Sequence, residues 1–486
     1  MTFGWAARHA ANGYRMTFAF GKGTAPDLPE YGHDFLVKAR NCYAGILGYE
    51  PIKALSQVTA ALPATWRGGG TFTGADGTAI LLSGTNGGLY RLTSSAATLV
   101  SAGTYSANWF FVQFGDLVIC LNGGAPLKYT ISSGAGASLG GSPPTCQYGA
   151  IVRDFVFLAG NSSNQNRVYW SSIDNAEGWT PGTNQSDIQD IPEGGAITGL
   201  AGGQFGLVFT DTSIDIFEYQ GVPTVFLRRK VSESIGALCH GSICQHGSSV
   251  FFYSRRGFYK WSPNDPEPVP IGRNRIDRTF RTTYSVSEIV NNLRCTIDPE
   301  RSLVIWSMPD RLWVYNFDND MWSDIAVTGI IGITTGRTAS LTLEDIAVIY
   351  PSIEDVTPSF DDPFWSGGSP MLLIAKSDGI LYSFGASDNM EAQFRLPQLE
   401  MNPGRVSHVR NSRITGNCVA AQVSLDCRAR MGDAPLNVVS SDYRLNGEVP
   451  IRASGRFIQA EITLPAGSDW SAIQGFDLEA TAGGRN

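Results

Sequence analysis

The run CHGSICQH, residues 239–246, is the strongest metal candidate in the sequence, with Cys239, His240, Cys244 and His246. Side chains alternate along a strand, so on an uninterrupted one His240, Cys244 and His246 would share a face. The spacing is not that of paired zinc ligands, and no second half-site follows. The expectation is a strand with small buried residues and no metal. Asp318-Asn319-Asp320 with Asp324 hints at calcium, but the glycine and distal glutamate of a calcium loop are missing, so a solvated turn is expected. Gly21-Lys22 is not a phosphate loop: Met16 stands where its first glycine belongs, and Gly23 follows the lysine. No catalytic residue and no cofactor are assigned.

Charge is unevenly spread. From Arg228 to Arg281 there are ten Lys and Arg against four acids, a local excess of about +6. Within it Arg228, Arg229, Lys230, Arg255 and Arg256 are candidates for a partner interface. From Leu341 to Trp365 six acids (Glu344, Asp345, Glu354, Asp355, Asp361 and Asp362) stand with no Lys or Arg. Asp361-Asp362 could be an acid–base pair for glycoside cleavage, but reads at least as readily as a surface loop. Two surfaces of opposite sign suit self-assembly around a ring; solvated loops without partners are the alternative. The net charge of -8 disfavours general nucleic-acid affinity.

These residues need a scaffold, and the sequence repeats one. LVIWSMPDRLWVYNFDNDMWSDI (303–325) is an apolar strand, a Pro-Asp turn, an aromatic strand, a second turn and the start of a third strand. The same hairpin recurs at 78–92, 116–130, 154–172, 205–220, 249–263 and 371–385, with Tyr90, Tyr129, Tyr169, Tyr219, Tyr259, Tyr315 and Tyr382 marking its register. The first five tyrosines lie about 40–50 residues apart, the period of four-stranded propeller blades. The fold expected is all-β: a β-propeller of six or seven blades over 66–390, with aromatic rings filling the wedges between blades. Two inserts interrupt it. One lies near 274–294, where Val286, Ile289, Val290 and Leu293 predict a short amphipathic helix. The other is the acidic loop near 341–368. Residues 1–65, punctuated by APDLPEYG and GYEPIKAL, read as an extended N-terminal docking arm. The short alternating strands of 391–486 predict a C-terminal antiparallel β-sandwich-like domain. SSIDNAEGWT (171–180) resembles the Asp-box of sialidase propellers, but extra residues separate Asp174 from Gly178, and a turn capped by Asp174 and closed by Trp179 is expected.

A chain of 486 residues needs no disulfides, and its eight cysteines form no framework, which suits a reduced, cytoplasmic site of assembly. No apolar run approaches the ~20 residues of a membrane span. MTFGWAARHAANGYR lacks the apolar core of a secretory signal, and Met16 could be the start.

The succession GAIVRDFVFLAG, VYWSSIDNAEGW, GAITGLAGGQFGLVFTDTSIDIFEYQG, SESIGALCHGSICQHGSSVFFYSRRGFYKW and LRCTIDPERSLVIWSMPDRLWVYNFDNDMW resembles the tail hub or nozzle proteins of short-tailed bacteriophages, including the packaged-DNA stabilisation proteins. The likeness runs from about Leu28 to Trp322 and thins over the C-terminal part. It implies a non-enzymatic virion tail protein that forms a six-fold ring below the portal and adaptor. Such a ring continues the channel for double-stranded DNA, without sequence specificity, retains packaged DNA, and carries fibres or spikes. On that reading the acidic residues Glu344 to Asp362 would face the channel or its gate. Two other classes are a carbohydrate-binding or glycan-degrading propeller and a kelch-like interaction scaffold.

Overall fold

A computed structural model describes residues 8–10, 13–337, 370–444 and 446–483 of the chain. Its centre is a ring of four-stranded antiparallel units at 66–102, 110–138, 148–190, 197–232, 244–270, 294–326 and 330–383, here blades one to seven. Six of the units are separate four-stranded sheets. Blade six is the first part of a nine-stranded sheet. The innermost strands of blades one and seven, Trp66–Thr73 and Ile330–Arg337, lie against each other, so the ring closes. This is a β-propeller, and the recurrent hairpin is the second and third strand of each blade. All seven marker tyrosines stand on third strands, among them Tyr90 on Gly88–Leu92 and Tyr315 on Arg311–Asn316.

The apolar runs follow from burial on both faces. In Leu303–Met308, Val304, Trp306 and Met308 face the core shared with blade five, while Leu303 and Ile305 face that shared with blade seven. A separate cluster fills each of the other wedges around the ring in the same way. Rings supply much of the volume: Trp306 and Trp322 stack at 5.7 Å, with Phe258 against both, and their indole nitrogens donate to the Ser242 and Ile271 carbonyls at 3.0 Å. Tyr382 is the exception among the tyrosines. It joins none of these clusters, and its hydroxyl donates to Asp378 at 2.8 Å.

The insert is two helices, Asp277–Thr283 and Val286–Asn292. Ser285 and Glu288 form a capping box at the start of the second. Ile289 and Leu293 are buried, while Val286 and Val290 are exposed, so only half of the expected apolar face packs.

The N-terminal segment is extended, and what it docks on is its own chain. Strand Gly13–Ala19 pairs with Trp470–Ala482, and Lys38–Arg40 runs between blade six and strand Ala392–Arg395. Ser56–Gln57 then supplies the outermost strand of blade seven, so residues ahead of blade one close the ring. Phe18, Phe20, Leu36 and Tyr49 join one core with Phe394, Leu425, Ile462 and Phe476. The C-terminal domain is therefore two packed sheets built from both ends of the chain, and one of those sheets continues into blade six.

Candidate functional site

The acidic candidates Glu344, Asp345, Glu354, Asp355, Asp361 and Asp362 lie outside the described residues. The last described pair before them is Arg337 with Pro370, where the inner strand of blade seven meets the second.

The basic candidates stand on blades four and five, and most of them are already paired. Strand Phe226–Ser232 carries Arg228, whose Nε donates to Asp215 at 2.9 Å. Asp215 is 0% exposed, so this is an internal ion pair. Lys230 bonds Glu193, and the Lys230 ammonium holds the Glu193 carboxyl below its usual range. Arg229 meets Glu218 at 3.2 Å and Arg255 meets Asp211 at 2.7 Å. Arg256 makes no ion pair among the described residues. The acids come from Glu193, Asp211, Asp215 and Glu218, all outside the window that gave the local excess, so most of that excess is cancelled in the fold.

The metal candidate is broken up. A short 3-10 turn, His240–Ser242, interrupts the chain before strand Cys244–His246, so the ligands never share one face. His246 packs against Phe317 at 5.2 Å. No group of three metal-ligating side chains gathers among the described residues. The SSIDNAEGWT turn is closed by Trp179, whose indole donates to the Ala176 carbonyl at 2.9 Å, as its sequence suggests. Its cap, however, is Asn175, whose Oδ1 accepts from the Glu177 amide at 2.9 Å; Asp174 is an exposed residue at φ 54°.

A concave site lies on the propeller axis. A cavity of about 500 Å³ is lined from blades two, three and four, the entry to blade five, the second helix and Arg294 of blade six, and one of about 230 Å³ adjoins it from blades one, two, five, six and seven. Phe110, His240, Gly241 and Arg294 border both. Phe110 of blade two meets His240, at the entry to blade five, with ring centroids 4.4 Å apart, and Tyr148 of blade three lies 4.8 Å from His240. These rings cross the axis and close it.

Arg294 opens the inner strand of blade six and is 8% exposed. Its Nη1 donates to the Leu293 carbonyl at 2.8 Å and its Nη2 to that of Asn291 at 3.0 Å. Room for it comes from Gly241, where a Cβ would lie 2.8 Å from Nη1 and 2.4 Å from the Leu293 oxygen. His240 Nδ1 accepts from the Leu200 amide at 3.3 Å. Burial and then the Arg294 charge push His240 down to about 3, so the ring is neutral and Nε2 carries the proton. Sequence reading singled out His240, as a metal candidate, but missed the site itself, because its members sit on separate blades and lack a shared motif.

No family model matches the chain, and no curated protein matches it. Solved structures do. The WD40 domain of Neurospora crassa Pan2 is 10% identical, with a TM-score of 0.40 over 68% of this chain and 94% of that one. BamB from Moraxella catarrhalis is 12% identical, with a TM-score of 0.38 over 71% and 95%. The extracellular domain of a hybrid two component system protein from B. thetaiotaomicron is 11% identical, with a TM-score of 0.43 over 75% and 44%. Likenesses this distant speak to fold alone. The class is set by the chain's own ring of sheets: a β-propeller fused to a β-sandwich. No helix among the described residues is long and apolar enough to cross a membrane.

Proposed function

We propose that this chain is a structural subunit of a bacteriophage tail, a hub or nozzle protein assembled six-fold into a ring beneath the portal and adaptor. In that role it would be made in the host cytoplasm, continue the DNA channel, retain packaged DNA and carry fibres or spikes. The order of residues that resembles this family motivates the reading. The observation that carries it is the sheet running from blade six into the sandwich, which makes propeller and sandwich one stiff block.

A stiff block with a sticky edge is what ring assembly requires. Strand Asn437–Asp442 is the free edge of the nine-stranded sheet, and Leu436 and Val438 beside it are 74% and 58% exposed. Free edges and exposed apolar side chains favour contact with another chain. The propeller axis is closed by Phe110, Tyr148 and His240, so the DNA path in this proposal lies between copies and not through the propeller.

Mass measurement of the purified chain, alone and with its adaptor, tests the reading. Six-fold particles are expected. A chain that stays monomeric in both conditions, and that binds a glycan array or releases saccharide, would replace it with a carbohydrate-active propeller. Reversing the charges of Glu354, Asp355, Asp361 and Asp362 should change DNA retention or ejection rate; unchanged kinetics would remove the channel role of that loop.

A further inference from the structure

Among the described residues Arg294 is a cation without a carboxylate counter-ion. Its hydrogen-bonded partners are two neutral carbonyls, and no Asp or Glu lines either axial cavity. Burying an unpaired charge is costly, and a guanidinium cannot escape the cost by losing its proton. A second cation makes matters worse. Arg67, on the inner strand of blade one, acts on Arg294 as a like charge, and its Nε is buried with no hydrogen-bond partner. Both influences, burial and the Arg67 charge, pull the Arg294 pKa down. The neutral His240 borders the same space, so Arg294 brings a positive charge to it and His240 an N–H donor.

We infer that the axial cavity binds a small oxyanion, a phosphate or carboxylate group, held by Arg294 with His240 Nε2–H as a neutral second donor. Guanidinium forks suit such oxygens, and charge-assisted hydrogen bonds are about twice as strong as neutral ones. The volume of about 500 Å³ leaves space for more than the anionic group alone. The side-chain amides of Asn108, Gln147 and Gln165 line it and would meet a hydroxylated remainder. This site belongs to a single propeller and does not depend on the proposed ring.

The test is titration of the full chain, in chloride buffer at fixed ionic strength, with inorganic phosphate and separately with acetate, followed by melting temperature and calorimetry. Saturation at one site per chain is expected, and the stronger of the two probes tells phosphate from carboxylate. Arg294→Met should weaken that binding at least tenfold, while Arg255→Met on the outer surface leaves it unchanged. His240→Leu, should Arg294→Met fail to fold, is expected to weaken it several-fold. A linear, non-saturating response that is equal for both anions is a general salt effect and overturns the proposal. So does saturable binding that survives both axial substitutions.

Discussion

Arg228 holds a carboxylate that no water reaches, and that fixes what its removal must do. Arg228→Ala leaves Asp215 charged and buried, so about 3 kcal/mol of stability should be lost in the isolated chain. Arg256, exposed and unpaired among the described residues, should change stability by less than about 0.5 kcal/mol as Arg256→Ala. Denaturant unfolding of the two variants separates an internal role from an interface role; equal, small effects would contradict the internal pair. Asp277 makes the opposite case. Its carboxyl sits among Gly257, Gly272 and the first helix, accepts the Phe258 amide at 3.0 Å, and is raised by burial from 3.8 to about 6. The folded state therefore binds its proton more tightly than the unfolded chain does. Stability from this group is complete below about pH 4 and is lost as pH rises toward 6. Asp277→Asn should be more stable than wild type above pH 6, by about 1–2 kcal/mol, with the gap closing below pH 4. A constant gap across pH 4–8 would show that the carboxyl does not titrate in this range.

Elements show why some of the fold could be read from sequence and some could not. Second and third blade strands are buried on both faces, so LVIW and LWVY declare themselves as apolar runs, and their tyrosines keep register. Outer strands carry no such signal: Ala135–Ser138 is exposed throughout, and Ser56–Gln57 is two residues long. The N-terminal strands are short and find partners hundreds of residues away, so local patterning cannot name those partners. The first helix has the same dependence. Its own N-cap, Ile276, offers no side-chain bond, and Asp27 instead accepts the Arg278 and Thr279 amides at 2.7 Å from 251 and 252 residues upstream. Asp27→Ala should cost about 1–2 kcal/mol, because both bonds cap helix-terminal donors. Hydrogen exchange should quicken in Asp277–Thr283 first; unchanged protection there would mean that the helix holds without the arm.

At the scale of the whole molecule, closure in space decides what sequence windows cannot. Most of the local charge excess is cancelled because Glu193, Asp211, Asp215 and Glu218 fold in from outside it, and the axial cavity exists only because the ring brings Phe110, Tyr148, His240 and Arg294 together. The same logic governs stability. Lys38–Arg40 is the one strand between blade six and the sandwich in the nine-stranded sheet, and the side-chain bonds there are partly buried. Arg40 Nε donates to Asp324 at 2.8 Å, and Asn41 bridges the Asp324 carbonyl, the Ala326 amide and the Glu391 carbonyl. With this seam intact, neither domain can open without exposing the core of the other, so calorimetry should show a single unfolding transition. Arg40→Ala leaves Asp324 buried with Arg311 at 3.9 Å as its remaining ion-pair partner, a loss of about 2–3 kcal/mol. Combined with Asn41→Ala, it should split the transition into two, the sandwich melting first because part of its core comes from the segment that the seam holds in place. Two resolved transitions in the wild-type chain would mean that the shared sheet does not couple the domains.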